Sequence, residues 1–238
     1  MYQPSEFTGG DHAAAYDHIQ RFPFGIIVSV DGLRATHLPF LVDDPRDPGG
    51  VLSHFAIRNE QWRSIRDGDE VLVIFSGPES YVSSSVYRAE NDVPTWNYTT
   101  VHIRGSYRRM SEAETRDLLE RTVAAFESGQ PAPWSLRSMP APDLALLGRA
   151  VVGFSVTTRV LEHGVKLSQD KLQEDVDAVH ASLAKGDAAA RAVADEMRRQ
   201  AVQGRRAHPS TDPAGYLSDE LGSPVSCEST RLADHEEG

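Results

Sequence analysis

Histidines are the residues of this sequence that could most readily bind a metal or transfer a proton. There are nine of them, and imidazole both ligates haem iron and titrates near neutral pH. Three lie in segments that we predict to be strands: His37, His54 and His102. A strand histidine is most often an ordinary hydrogen-bonded side chain. His54 is the best candidate for a ligand, because it precedes Asn59 and a predicted helix start, where N–H groups can hold a propionate or a phosphate.

Two short segments, VPTWNY and KLSQD, combine aromatic or cationic side chains with small polar ones. The aromatic residues of the first could form the wall of a pocket for a planar cofactor, or they could pack a corner of the fold. The second could line an anion-binding rim, although a helix cap would use the same residue types. The candidate residues of the two segments are Trp96, Tyr98, Lys166, Ser168 and Gln169.

Composition and motif spacing exclude several classes of function. One cysteine, Cys227, allows neither an internal disulfide framework nor a cysteine-based zinc site. The serines at 83–85 lack a nucleophile elbow, and no HExxH spacing occurs. A net charge of -11 disfavours binding to nucleic acid, which needs clustered positive charge. Without a membrane-length apolar run or a signal peptide, we expect a soluble cytoplasmic protein.

The elements that must position these residues are mainly short strands. Residues 24–30 and 33–42 flank Asp31-Gly32, a dipeptide that favours a tight hairpin. Ser111 and Glu114 form a capping box at a helix start. The further predicted strands are 51–56, 70–76, 80–86, 97–110 and 151–161. Interleaved with single helices, these strands predict an α+β fold, a closed antiparallel barrel with peripheral helices.

The chain changes character towards its C-terminal end. Residues 131–142 are expected to form a Pro-rich loop. Further on, a helical stripe of apolar residues predicts a helix; its members are Leu172, Val176, Val179 and Leu183. We expect a cofactor-binding barrel domain over 1–185, a C-terminal helix over 186–203 and a disordered tail over 204–238, because the tail is polar and has no apolar periodicity.

Several motifs occur in a fixed order: MYQPSEF, RFPFG, ATHLPF, VLVIFSGPESYVS, VPTWNY, VHIRG and KLSQD. On these motifs the sequence resembles the FMN-binding negative transcriptional regulators of the PaiB type. The resemblance covers about residues 1–185, and VPTWNY and KLSQ are its most specific parts. It implies a split β-barrel that forms a homodimer, with cofactor sites at the subunit interface.

The sequence departs from that family where the family carries cationic residues. The family pattern HVARANPQW is replaced by HFAIRNEQW over 54–62, so that Ile57 stands at the arginine position. The lysine that usually precedes VPTWNY is missing, and the last strand has one lysine fewer. FMN carries a phosphate dianion, which needs cationic or N–H partners when it is sequestered. Haem b, with a large apolar ring and two propionates, would fit such a pocket better.

One offshoot of this family, the L-piperazate synthases, depends on haem instead of FMN. The resemblance to this offshoot implies haem b, His54 as the axial ligand of iron, and N5-hydroxy-L-ornithine as the substrate. In the reaction of these enzymes a new N–N bond closes a six-membered ring, and water is lost. An FMN-binding regulator or flavoprotein is the alternative. A haem-degrading or pyridoxine-phosphate oxidase-like enzyme on the same barrel is a third hypothesis.

The cyclisation would need a base for the α-ammonium of the substrate and a cation for its carboxylate. We expect His37 to be the base, with His102 as the other candidate. Arg58 or Lys166 could bind the carboxylate. The residues expected to hold the cofactor are His54, Arg58, Asn59, Trp96, Tyr98, Ser168 and Gln169.

Overall fold

The structure of the protein is a computed structural model, and it describes residues 1–2, 4–88 and 92–204. The strands are β1 (Phe24–Ser29), β2 (Arg34–Pro39), β3 (Leu41–Val42), β4 (Gly50–Ala56), β5 (Glu70–Val82), β6 (Thr95–Arg109) and β7 (Val151–Lys166). The α-helices are α1 (His12–Arg21), α2 (Gln61–Ser64), α3 (Glu112–Glu127), α4 (Ala141–Arg149), α5 (Gln173–Leu183) and α6 (Ala188–Gly204). The described strands form one antiparallel sheet in the order β2-β1-β5-β6-β7-β4-β3.

The predicted hairpin is confirmed, and its second strand closes the barrel. Gly32 takes a φ of 70° in the turn between β1 and β2, a conformation that glycine adopts without steric cost. After Phe40 the same stretch of chain continues as β3, which pairs with β4 at the other edge of the sheet. The Ser53 hydroxyl donates to the Pro39 carbonyl at 2.7 Å across this junction. The α+β split-barrel fold expected from the sequence is therefore what the structure shows.

Strand alternation separates an inner from an outer face of the sheet. The inward positions form the main core and include Ile27, Val73, Phe75, Val101 and Ile103, all without solvent exposure. We refer to the outward positions of β2, β1, β5, β6 and the second half of β7 as the outer face. One row of paired residues across it consists of His37, Ile26, Ile74, His102 and Glu162.

A second apolar cluster joins the two last helices to the barrel. Val82 and Val165, from the ends of β5 and β7, pack with Val179 of α5 and Val193 of α6. The expected helix at 186–203 is thus α6, and it packs on α5 and β5 rather than standing apart from the barrel. The tail expected over 204–238 lies outside the described residues, apart from Gly204, which ends α6.

Three details of the sequence-based assignment were wrong. The segments 70–76 and 80–86 are one strand as far as Val82, because an irregularity between Ser76 and Glu79 bends β5 without ending it. The loop expected over 131–142 ends two residues early, because α4 begins at Ala141. The last strand runs on to Lys166, so that KLSQD begins inside the sheet. No helix in the described part of the chain is long and apolar enough to cross a membrane.

Candidate cofactor and substrate site

Lys166 lies at the end of β7 in the wall of a small cavity. Its partner across the sheet is Tyr98, and both side chains line a cavity of about 140 Å³. The Lys166 ammonium donates to the Thr95 hydroxyl at 2.8 Å and lies 5.4 Å from the centre of the Phe7 ring. A primary ammonium on an aromatic surface, held by one neutral hydroxyl, can bind a carboxylate or a phosphate.

The VPTWNY and KLSQD segments are joined by a buried pair of hydrogen bonds. The Asn97 amide nitrogen donates to the Ser168 hydroxyl at 3.0 Å, and that hydroxyl faces the Asn97 amide oxygen at 3.2 Å. Ser168 has a φ of 63°, in the left-handed region, where the chain leaves β7. The Gln169 side chain accepts from Leu167 N at 2.6 Å and also donates to the Val165 carbonyl. The polar atoms of Ser168 and Gln169 thus hold the chain turn beside Lys166.

Trp96 lies beyond Tyr98 on the same face. Its side chain is 54% exposed and contacts the Tyr81 ring edge-on, with 6.1 Å between ring centres. The two segments singled out in the sequence therefore come together, with Trp96, Tyr98 and Lys166 on one surface. This surface combines flat aromatic rings with a cation.

His54 lies elsewhere, on the outward side of β4. It pairs with Gly153 of β7. The side chains of Thr115, from α3, and Met110 lie against this glycine. Its imidazole is half-buried, and burial lowers the pKa of His54 below its usual value, so that the ring is neutral near pH 7. The buried Nδ1 has no hydrogen-bond partner among the described residues. A neutral imidazole without a fixed partner suits a haem iron or another transition metal.

Arg58 and Asn59 follow β4, and only Arg58 is exposed. The Asn59 side chain accepts from Gln61 N at 2.8 Å and donates to the Thr36 hydroxyl at 3.0 Å. The first N–H of α2 is therefore already bound within the chain. This corrects our expectation that the helix start offers that N–H to an anion of the cofactor. Asn59 fastens α2 to β2, whereas the Arg58 guanidinium faces solvent.

The candidates do not all meet within one chain. Gly153, the partner of His54, is thirteen residues from Lys166 along β7, roughly 40 Å of strand. His37 is exposed on the edge strand β2, where its ring stacks on Phe24 with 6.1 Å between ring centres. It is three strand spacings from His102, roughly 14 Å. A single chain brings together the residues around Lys166, but neither His54 nor His37 lies among them.

Sequence reasoning missed an ionic cluster on β6 and β7. Glu162 pairs with His102 in the sheet, accepts a hydrogen bond from the Met1 amino group at 2.6 Å, and lies 3.9 Å from the Arg104 guanidinium. That hydrogen bond is the main reason why the pKa of Glu162 lies below its usual value. Burial lowers the pKa of His102, against the opposing effect of the Glu162 carboxylate. The i, i+2 spacing in VHIRG already placed His102 and Arg104 on one face, but only the strand register reveals Glu162.

A pair of buried histidines was also missed. His18 of α1 is fully buried and lies 5.3 Å from the His163 ring of β7, between ring centres. The pKa of His18 is lowered to about 3, mainly by burial and also by the neighbouring His163 and Arg21. Close beside the pair, Arg21 forms two hydrogen bonds with Glu196 of α6, at 2.6 and 2.9 Å. These residues join α1, β7 and α6 behind the sheet, away from the outer face.

Comparison with known sequences points to a cofactor-binding family. The family model described as "Putative FMN-binding domain" matches residues 1–159. The chain is 33% identical over 179 residues to "Protease synthase and sporulation protein PAI 2" of Bacillus subtilis, a match that covers 74% of this chain and 85% of that protein. Helices α5 and α6 lie outside the region matched by the family model.

Solved structures share the fold at low sequence identity. A FAD and haem binding protein from Mycobacterium smegmatis matches with a TM-score of 0.51 and 17% identity, over 71% of this chain and 78% of that chain. A flavocytochrome from Azotobacter vinelandii matches with a TM-score of 0.50 and 16% identity, over 70% of this chain and 73% of that chain. At these identities the likeness establishes the barrel fold.

Proposed function

This chain belongs to the FMN-binding domain family of the PaiB type, and on that premise we propose that it is a haem-dependent enzyme that cyclises N5-hydroxy-L-ornithine to L-piperazate. The observation that carries the proposal is the His54 imidazole, neutral and with its buried Nδ1 unpartnered among the described residues. One solved structure with this fold is of a FAD and haem binding protein and another is of a flavocytochrome, so the barrel is compatible with haem.

The residues present fit haem b in their donor chemistry. His54 would hold the iron. The Lys166 ammonium would pair with a propionate or with the carboxylate of the substrate, and Trp96 and Tyr98 offer flat surfaces to a planar ring. Ile57, at the position where the family carries an arginine, is 37% exposed and offers no charge to a phosphate. This donor set favours propionates over a phosphate dianion.

The proposed site needs a second copy of the chain. Within one chain His54 and Lys166 lie far apart along β7, so a cofactor that contacts both has to lie between subunits. The outer face carries apolar residues that are partly or largely exposed, such as Phe24 and Val160. We therefore propose a homodimer in which the outer face is covered, in line with the dimer that the family resemblance implies.

The protein's part in the reaction is to bind, orient and deprotonate the substrate. Haem, when bound, supplies an iron centre that engages the hydroxylamine and weakens its N–O bond. A cationic side chain holds the substrate carboxylate, and a neutral histidine takes the proton of the α-ammonium so that this nitrogen can form the N–N bond. Confinement of the flexible chain in a cyclic conformation contributes further to the rate.

An absorption spectrum of the purified protein, followed by incubation with N5-hydroxy-L-ornithine, tests the proposal. A Soret band and the formation of piperazate are the expected results. A flavin spectrum without piperazate would instead support the second candidate, an FMN-binding protein with a regulatory role. That candidate is favoured by the family model and by the identity to the Bacillus protein.

A further inference from the structure

Glu162 lies at the centre of the ionic cluster on the outer face. Its backbone pairs with His102, and Arg104 follows His102 two residues later on the same side of β6. The Glu162 side chain is 20% exposed, and the Arg104 side chain is 49% exposed. A carboxylate, a guanidinium and a neutral imidazole thus occupy neighbouring positions on two paired strands.

This carboxylate already binds a primary ammonium in the structure. The Met1 amino group lies 2.6 Å from Glu162 Oε1. The aliphatic side chain of Met1 runs over Gly164, where a Cβ would come within 3.2 Å of the Met1 methyl group and 3.5 Å of its sulfur. Met1 also lines the cavity that contains Tyr98 and Lys166. An ammonium at Glu162 is therefore followed by an unbranched side chain that points along the face towards Lys166.

The same arrangement would suit a free amino acid with an unbranched side chain. We propose that Glu162, Arg104 and His102 form the binding site for the α-amino acid head group of the substrate, which displaces the Met1 amino group. Glu162 receives the α-ammonium, Arg104 pairs with the α-carboxylate, and His102 is the base in place of His37. This inference rests on the proposed function and names the substrate contacts of that site.

The proton and electron balance of the step is simple. His102 takes one proton from the α-ammonium, and the lone pair of the resulting amine forms the bond to N5. The electron pair of the broken N–O bond leaves with oxygen, which takes the proton from His102 and departs as water. The step is a net dehydration and needs no external oxidant or reductant. His102 regains its neutral form, as a base in a catalytic cycle must.

Lys166 then acts at the other end of the cavity. Its ammonium is directed to Thr95 and Phe7, and Thr95 lies further from His102 along β6 than Tyr98 does. It is suited to a haem propionate rather than to a carboxylate bound beside Glu162. Arg58, exposed after β4, is on neither strand of this cluster.

Equilibrium binding of three probes to the purified, full-length protein tests the head-group site without turnover. The probes are L-ornithine, 5-aminopentanoate, which lacks the α-amino group, and putrescine, which lacks the carboxylate. Glu162→Gln should weaken L-ornithine binding by about tenfold or more, since it removes a charge-assisted hydrogen bond. It should leave 5-aminopentanoate binding unchanged. Glu70→Gln, an exposed carboxylate on β5, is the matched control and should bind all three probes normally.

Arg104→Gln provides a second, independent variant, because its half-exposed side chain can be changed without opening the core. It should weaken L-ornithine binding but not putrescine binding. Unchanged ornithine binding in both variants, or an equal loss for every probe, would overturn the site. His102→Gln should keep its haem spectrum, while piperazate formation at saturating substrate falls by roughly 10²-fold.

The failure of this inference is distinguishable from failure of the proposed function. If the wild-type protein makes piperazate but neither the Glu162 nor the Arg104 variant changes ornithine binding, only the head-group site is contradicted. Wild-type protein that makes no piperazate but binds ornithine through Glu162 contradicts the cyclase proposal and retains the site.

Discussion

His54 is the residue on which the choice between haem and flavin depends. A histidine also stands at this position in the FMN-binding family pattern, so its presence alone does not indicate haem. Its surroundings are more informative: the ring is neutral, its Nδ1 has no described partner, and Ile57 stands where the family has an arginine. On our proposal, a few side chains on the shared barrel fold select haem over flavin.

Replacement of this imidazole is a direct test at the residue scale. His54→Ala should give a folded protein with little bound haem and no ring closure, because the axial ligand is lost. His102→Ala should keep its haem, since in our proposal His102 acts on the substrate and not on the iron. Haem content by absorption and folding by circular dichroism are measured together. A His54 variant with full haem occupancy and an unchanged Soret band would place the axial ligand elsewhere.

At the scale of elements, the joint between α1, β7 and α6 combines buried histidines with an ion pair. His18 and His163 lie against each other, and Arg21 and Glu196 tie α1 to α6 beside them. Burial lowers the pKa of both histidines. In the folded protein both rings therefore stay neutral over a range of pH in which the unfolded chain binds protons.

This joint should make the folded protein sensitive to acid. The pKa of His18 is about 3 in the folded state against an ordinary 6.5, so between these values the unfolded chain binds one more proton. The histidine contribution to stability is complete above pH 6.5 and is lost progressively as the pH falls towards 3. Denaturant titrations at several pH values measure the free energy of unfolding. His18→Leu should flatten this dependence, and an equally steep dependence in that variant would contradict the assignment.

At the scale of the whole molecule, the outer face is the surface that we expect another subunit to cover. Val28, Leu72, Arg104 and Val160 form a second row beside that of His102, and most of these side chains are apolar. Exposed apolar patches of this kind often mark interfaces. In the proposed homodimer this face lies between subunits, so that catalysis and assembly depend on the same surface.

A charge placed on the outer face should therefore weaken the dimer. Phe24 is 63% exposed on β1, and Phe24→Glu should shift the molecular mass in solution towards that of a monomer. Leu146 of α4 is 67% exposed but lies outside this face, so Leu146→Glu should leave the mass unchanged. Light scattering coupled to size exclusion measures both. A wild-type protein that is monomeric with its cofactor bound would contradict the proposed assembly.

The polar C-terminal region should be dispensable for cofactor binding. A chain that ends at Gln203 keeps the strands, α5 and nearly all of α6, and we expect it to retain its cofactor as the full-length chain does. Cofactor content per protein, measured after gel filtration, is the readout. Loss of the cofactor on truncation would show that the region beyond this point contributes to the site.

The sequence by itself determined the barrel, its hairpin and the segments that carry the candidate site. These features depend on local causes: alternation of apolar residues, the Asp-Gly turn, the capping box and short specific motifs. It also singled out His54, Lys166 and Tyr98. Local pattern further predicts that His102 and Arg104 share one face of a strand.

Only the tertiary structure decided which of these residues meet. The distance of His54 from Lys166, the pairing of Glu162 with His102, and the contact of His18 with His163 depend on strand register and on helix packing between residues far apart in the chain. A shift of one residue in register would turn every side chain of a strand to the other face, and no local signal sets that register between β6 and β7. The sequence supplies the chemical groups, and non-local pairing determines which of them act together.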